Sequence, residues 1–292
     1  MLAECRRRLM RALSHASTRC APSRARRLLG LGGLSAECLD AVPRQTSDQP
    51  LISSPDNEVV RRLRRLALRR EPGLALLEGP RVLKEAKAAG LDFELIAVRE
   101  GDKLPFHSES RITLTPAAYR AATQTVSPQG VMAVARVHEG TPAEAVRAAR
   151  DAGWPLVVLD RVQDPGNVGA ICRTAAAAGA PALAVLAGCA DPFGAKAVRA
   201  SAGNVFRLVI ARAAWADLSD LDTYGAASSG GTTLTDAPVE NAGVIVFGSE
   251  AHGLSRGDLK LVTIPVGRGV ESLNVAAAAA VILFEIARRK TT

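Results

Sequence analysis

Short apolar runs recur along this chain, separated by stretches in which apolar residues return every three or four positions. From Leu156 onward the alternation is regular. The pattern predicts strands at 156–160, 182–187 and 205–211, a weak one near 226–233, and two more at 243–247 and 261–266. Helices are predicted at 168–178, 194–201, 213–221 and 273–289. Apolar strands alternating with helices build an α/β fold with a parallel sheet covered on both faces.

The front half reads as a smaller α/β layer at 51–137. Ser54-Pro-Asp-Asn57 predicts an N-cap for a helix over Glu58–Arg70, with Val59, Leu63, Leu66 and Ala67 on its apolar stripe. Strands are expected at Leu74–Leu77, Leu95–Val98, Arg111–Leu114 and Val131–Val137, with a helix starting at Gly79-Pro80. Thr141-Pro-Ala-Glu144 opens a linker helix, which places the linker at 138–153 and the second domain at 154–292.

Composition adjusts this picture. The chain has 292 residues, 48% of them hydrophobic but only 3% aromatic, so its cores rest on Ala, Val, Leu and Ile. No apolar run reaches the roughly 18 residues of a membrane span, so no membrane partner is expected. The net charge of +8 is uneven: residues 1–50 hold nine Arg and four acidic residues, leaving +3 for the rest. Nucleic-acid binding therefore cannot be argued from total charge. Residues 1–50 fit a disordered tail, sequence upstream of the true start, or an organelle transit peptide. The first two leave a cytoplasmic protein; the third sends it to a mitochondrion or plastid. Five cysteines without a C-x-x-C pair point to a reducing compartment and away from structural zinc. Cys172 reads as a packing residue.

Three segments carry the candidate chemistry. Asp164–Arg173 (Asp-Pro-Gly-Asn-Val-Gly-Ala-Ile-Cys-Arg), Phe247–Gly253 (Phe-Gly-Ser-Glu-Ala-His-Gly) and Ile264–Val275 (Ile-Pro-Val-Gly-Arg-Gly-Val-Glu-Ser-Leu-Asn-Val) each follow a strand-like run. Strand ends at one edge of an open α/β sheet are where ligands bind. The first loop lacks G-x-G-x-x-G, Gly188–Lys196 fails as a Walker A loop, and Gly248–His252 is not G-x-S-x-G. Residue by residue, plainer readings exist. Asn167, Ser272 and Asn274 fit helix caps, Arg173 a solvated charge, and Glu250 a turn carboxylate. What argues against them is that all three loops are rich in glycine and polar groups.

In order and spacing these segments resemble the three signature motifs of the SpoU/TrmH family of RNA ribose 2′-O-methyltransferases, within the SPOUT superfamily. The resemblance covers about 154–290. Glu78–Glu85 and Ser127–Ala133 resemble, less sharply, parts of an L30e-like substrate-binding domain.

The resemblance implies a SPOUT trefoil-knot domain preceded by the L30e-like domain, and a homodimer with its site near the subunit interface. It implies S-adenosylmethionine held largely by backbone groups of the second and third loops, at Phe247, Gly248, Gly253, Ile264, Pro265, Val266, Ser272 and Leu273. By motif position the catalytic residues are Asn167, Arg173, Glu250, Ser272 and Asn274, with no departure from the family pattern and no metal required. Arg173 stands where the family places its base. A guanidinium normally stays protonated, so positioning the nucleotide and stabilising the developing 2′-oxyanion is the safer role. The RNA partner is expected to be large-subunit ribosomal RNA, touched by Arg61, Arg62, Arg65, Arg69 and Arg81. Competing readings are a tRNA 2′-O-methyltransferase, a non-catalytic RNA-binding module and a base-modifying SPOUT enzyme.

Overall fold

The computed structural model describes residues 50–108 and 111–291. The expectations for residues 1–49 lie outside them. Five strands form the front sheet: β1 (Leu51–Ile52), β2 (Leu74–Glu78), β3 (Phe93–Arg99), β4 (Ile112–Leu114) and β5 (Val131–Arg136), in the order β1-β4-β3-β5-β2. With them run helices α1 (Glu58–Leu68), α2 (Pro80–Ala88) and α3 (Pro116–Ala122). Helix α4 (Pro142–Asp151) is closed by a capping box between Thr141 and Glu144 and leads to the second sheet.

That sheet holds β6 (Leu156–Asp160), β7 (Ala182–Val185), β8 (Val209–Arg212), β9 (Thr223–Ala227), β10 (Thr232–Thr233), β11 (Val244–Gly248) and β12 (Lys260–Thr263). Its order is β10-β12-β9-β11-β6-β7-β8, and every pairing is parallel. Helices α5 (Pro165–Ala178), α6 (Ala195–Ala200) and α7 (Val275–Thr291) accompany it.

Side-chain alternation sorts the core into layers. On β2, Leu74 and Leu76 face α1 and α3, packing with Val60, Leu63 and Tyr119. Ala75 and Leu77 face the other way and join α2. That inner layer continues into the second sheet through Val157, Leu159, Phe247, Ile171 of α5 and Ile282 of α7. The front sheet is therefore packed onto the back one through a shared core. On the far side of the second sheet, Leu156 and Val158 meet Ala145 and Ala149 of α4. Among the described residues no helix is long and apolar enough to cross a membrane.

Several expectations need correction. The first helix ends at Leu68 instead of Arg70, because Arg69 is extended (φ −142°, ψ 118°). Arg70 leaves the helix to bond Asp191 and Glu139, with its guanidinium 5.6 Å from the Phe193 ring centroid. The helix expected at 213–221 is a single 3-10 turn, Trp215–Leu218. The strand expected at 205–211 is β8, preceded by a 3-10 turn at Asn204–Arg207. The weak run near 226–233 resolves into β9 and β10. The last strand stops at Thr263, and the helix expected from residue 273 begins at Val275. Helix α3 is not announced by the sequence pattern. It is capped by Thr115 and buries Ala118, Tyr119 and Ala122, an alanine-rich stripe with weak periodic contrast.

Candidate functional site

Parallel pairing brings β6, β11, β9 and β12 side by side, with Gly248 beside Asp160 and Phe247 beside Ala226. The three candidate loops therefore leave one sheet edge. The second loop is tied on itself: Ser249 N donates to Gly253 O at 3.0 Å and Gly253 N to Ser249 O at 2.8 Å. A Cβ on Gly248 would lie 2.6 Å from the Gly253 carbonyl, so the closed loop requires glycine there. Below it, the buried Asp160 carboxylate accepts from Ser255 N at 2.5 Å.

The polar centre joins all three loops. Helix α5 starts at Pro165, and its cap is Asp164, which accepts from Asn167 N at 2.9 Å. Lys196 holds the Asp164 carboxyl below its usual range, 3.0 Å away, helped by the Asn167 N–H. Asn167 is therefore not the cap that its position in the sequence allows. Its side chain is released and donates to Glu250 Oε1 at 3.3 Å. Asn274 does cap α7: its Oδ1 accepts from Ala276 N at 3.0 Å and Ala277 N at 3.3 Å. Its amide nitrogen meanwhile donates to Asn167 Oδ1 at 3.2 Å and to Glu250 Oε1. Val275 N also donates to Glu250 Oε1, at 3.2 Å. One carboxylate oxygen thus gathers two side-chain amides and a helix N-terminus.

Two candidates stand outside this network. Arg173 is exposed on α5, six residues and about 9 Å of helix beyond Asn167. Among the described residues, no hydrogen bond or ion pair engages its side chain or that of Ser272. Ser272 lines a cavity of about 410 Å³ beside the network.

That cavity also touches Phe247, Gly248, Gly253, Ile264, Val266 and Leu273. Pro265, the remaining expected cofactor residue, is not on its wall. Ala226–Ser228, Leu254, Arg256 and Ile282 also line it and are not among the residues expected there. The run of small residues at 226–228 was the available signal, but β9 was too weakly patterned to place it at the edge. Apolar walls from Val262, Ile264 and Ile282 and a polar rim of Ser249, Glu250 and Ser272 suit a small molecule with one flat apolar part and one polar part.

Of the expected RNA contacts, Arg61, Arg65, Arg69 and Arg81 are exposed. Arg62 is not available in the same way: it pairs with Glu94 at 2.7 Å and Glu71 at 3.8 Å. Arg64, absent from the expected set, is exposed on the same helix. Cys172 is fully buried, and its thiol is pushed up to about 12 by desolvation, consistent with packing. Among the described residues no group of three or more His, Cys, Asp or Glu side chains is placed to hold a metal.

The pattern of the SpoU rRNA Methylase family matches residues 155–284. Over 253 residues the chain is 31% identical to the 23S rRNA (guanosine(2553)-2′-O)-methyltransferase RlmP of Bacillus subtilis (strain 168), covering 80% of this chain and 98% of that protein. The chain belongs to the SpoU rRNA methylase family. An uncharacterized tRNA/rRNA methyltransferase of Synechocystis, slr1673, is 32% identical over 84% of this chain and 96% of its own length. Among solved structures, the AdoMet-bound rRNA methyltransferase from Sinorhizobium meliloti aligns with a TM-score of 0.71 at 26% identity, over 82% of this chain and 97% of that one. This SpoU protein thus matches full-length relatives across both of its sheets.

Proposed function

We propose that the protein is an S-adenosylmethionine-dependent RNA ribose 2′-O-methyltransferase acting on large-subunit ribosomal RNA. The observation that carries this reading is the Asn167–Glu250–Asn274 network at the rim of the 410 Å³ cavity. A non-catalytic RNA-binding module would have no need for three loops to converge on one carboxylate beside a cavity. The rRNA target rests on family membership and on the B. subtilis relative, which is named for 23S rRNA.

The cavity fits the cofactor, since its apolar floor suits an adenine ring and its polar rim an amino-acid end. Phe247, Gly248, Gly253, Ile264, Val266, Ser272 and Leu273 would hold it. When bound, the cofactor supplies an electrophilic methyl group. The chain's own residues do the rest. Asn167 and Asn274, fixed against Glu250, orient the ribose by hydrogen bonds, and Ser272 adds a free hydroxyl at the rim. Arg173 holds the nucleotide and stabilises the negative charge developing on the 2′-oxygen, whose proton passes to solvent water. Exposed Arg61, Arg64, Arg65 and Arg69 meet RNA phosphates, and the front domain at 51–137 serves as an L30e-like RNA-binding unit.

A homodimer is part of this reading. Helix α7 leaves Ala277, Val281, Phe284 and Arg288 exposed at spacings of four, three and four residues. Val281 is 44% and Phe284 52% exposed, and Val270 and Leu273 are exposed just before the helix. Such a stripe beside the site suits a second copy of the chain. A trefoil knot is also part of it, supported by β12 lying between β9 and β10 and by the return of the chain through Ile264–Asn274 to meet Asn167. An rRNA substrate favours the cytoplasm, where ribosomes are assembled.

The test is methyl transfer from labelled S-adenosylmethionine to ribosomal RNA prepared from cells lacking the gene, followed by nucleotide-resolution mapping. The expected product is a 2′-O-methyl group in 23S-type RNA. A methylated base, or a label found only in tRNA, would overturn the corresponding part of the proposal.

A further inference from the structure

A second cavity, of about 230 Å³, lies where the front sheet meets α6. Its walls include Glu78 and Arg81 at the junction of β2 and α2, Ser127 and Gln129 from the loop before β5, and Arg199 from α6. Sequence motifs at 78–85 and 127–133 thus converge on one space that the methyl-transfer site does not use.

The chemistry of this space is set by Glu78, whose side chain is 9% exposed. It accepts from Thr123 Oγ1 at 2.7 Å, from Thr125 Oγ1 at 2.5 Å and from Arg199 Nη1 at 2.8 Å. A buried carboxylate needs such partners. Here they occupy both of its oxygens and hold Arg199 in place, and among the described residues only one of the Arg199 nitrogens is engaged. Among the described residues no hydrogen bond engages the side chains of Arg81, Ser127 or Gln129. Two guanidinium groups against one carboxylate leave the lining with one net positive charge. The cavity therefore offers a cation for an anionic group, and a free amide and hydroxyl for a polar edge.

Its position relates it to the first site. Helix α6 packs tightly on α5: a Cβ on Gly169 would lie 2.3 Å from the Ala197 carbonyl oxygen. One helix therefore separates the second cavity from the helix that carries Asn167 and Arg173, and close-packed helix axes lie roughly 8–10 Å apart. The volume is too small for duplex RNA and suits a single base. Single-stranded segments with splayed bases are what proteins read in RNA.

We propose that this cavity receives one unpaired nucleotide of the RNA substrate, its phosphate toward Arg81 and Arg199 and its base edge against Gln129 and Ser127. The proposal rests on the RNA methyltransferase reading above. It is tested on the full-length protein with ribosomal RNA prepared from cells lacking the gene, comparing Arg81→Ala, Gln129→Ala and, as a control, Arg150→Ala on α4. The first two should each raise the RNA Kd and KM roughly tenfold, while the Kd for S-adenosylmethionine stays within about twofold. Arg81→Ala should also reduce the salt slope of binding by about 0.7, whereas Gln129→Ala should leave the slope alone. Arg150→Ala should match wild type. RNA affinity unaltered in both cavity variants, or lowered equally in the control, would overturn the proposal. RNA binding is read by filter retention without turnover. Failure of methyl transfer by wild type would therefore sink the enzyme reading and still leave the cavity tested.

Discussion

Asn274 reaches Asn167 across 107 residues of chain, its side-chain amide nitrogen 3.2 Å from Asn167 Oδ1. The same side chain caps α7 with its own carbonyl oxygen. The cap fixes which way the amide points, so a helix-forming interaction also sets the direction of a donor at the polar centre.

This dual use gives a separable prediction. Asn274→Ala should lose both functions, costing about 1 kcal/mol of stability from the missing cap and nearly all methyl transfer. Asn274→Asp should keep the cap, because aspartate is as good an N-cap as asparagine. It should still lose activity, because a carboxylate cannot donate to Asn167 and faces Glu250. Thermal unfolding beside single-turnover methylation checks this. An active Asp variant would remove the amide from the site.

Arg173→Ala should abolish transfer while S-adenosylmethionine binding persists, since Arg173 does not line the 410 Å³ cavity. Arg173→Lys should also fail, as a point charge does not reproduce a planar fork. Isothermal calorimetry together with a transfer assay distinguishes lost chemistry from lost cofactor. Near-full turnover in either variant contradicts the assigned role.

Gly248→Val places its side chain against the Gly253 carbonyl, 2.6 Å from the Cβ position. The Ser249–Gly253 turn must open, and the cavity wall opens with it. The expected result is a rise of roughly tenfold or more in the cofactor Kd, about 1.4 kcal/mol, with the global fold kept. Unchanged affinity in calorimetry would separate this loop from the cofactor.

Replacing Arg61, Arg64, Arg65 and Arg69 with Ser should weaken RNA binding and flatten its salt dependence, by about 0.7 to 0.9 in slope for each phosphate no longer neutralised. Arg62→Ser should act differently: it removes one ion-pair partner from Glu94 and one from Glu71 and should lower stability more than the salt slope. RNA titrations at several salt concentrations, paired with thermal unfolding, read both effects.

Arg289 anchors the end of α7. It donates to Ala237 O at 2.7 Å, Leu234 O at 2.5 Å, Glu240 Oε2 at 2.9 Å and Glu285 Oε1 at 2.7 Å. Arg289→Ala should cost about 2 kcal/mol, which is a fall of roughly 4–8 °C in Tm. Arg288 and Arg289 together hold the Glu285 carboxyl down to about 2. A carboxylate whose folded pKa is depressed contributes stability above its unfolded pKa and loses it as pH falls toward the folded value. The Arg289 variant should therefore start from lower stability at neutral pH and lose less of it on acidification, so its acid limb is shallower than that of the wild type.

Much of this protein is legible along the chain. The continuous apolar runs at 156–159 and 244–247 announce buried parallel strands, and the glycine-rich polar segments after them announce a ligand edge. Both are local signals, because periodicity and turn chemistry act within a few residues. The dual-faced alternation of β2 is equally local, as is the Thr141–Glu144 capping box. What each side chain does at the edge is not local. Asn167 is free to meet Glu250 only because Asp164 takes the cap, and two cap-competent residues three apart do not announce which one wins. Arg62 and Arg70 read as members of one basic helix until Glu94, Asp191 and Glu139, distant in sequence, claim them. Ala226–Ser228 join the cavity because β9 pairs with β11 and β12, a choice of neighbours set by how the whole sheet buries its faces. Strand order and ion-pair partners are long-range choices settled by packing, so the pattern of residues names the elements and the loops while the fold assigns their partners.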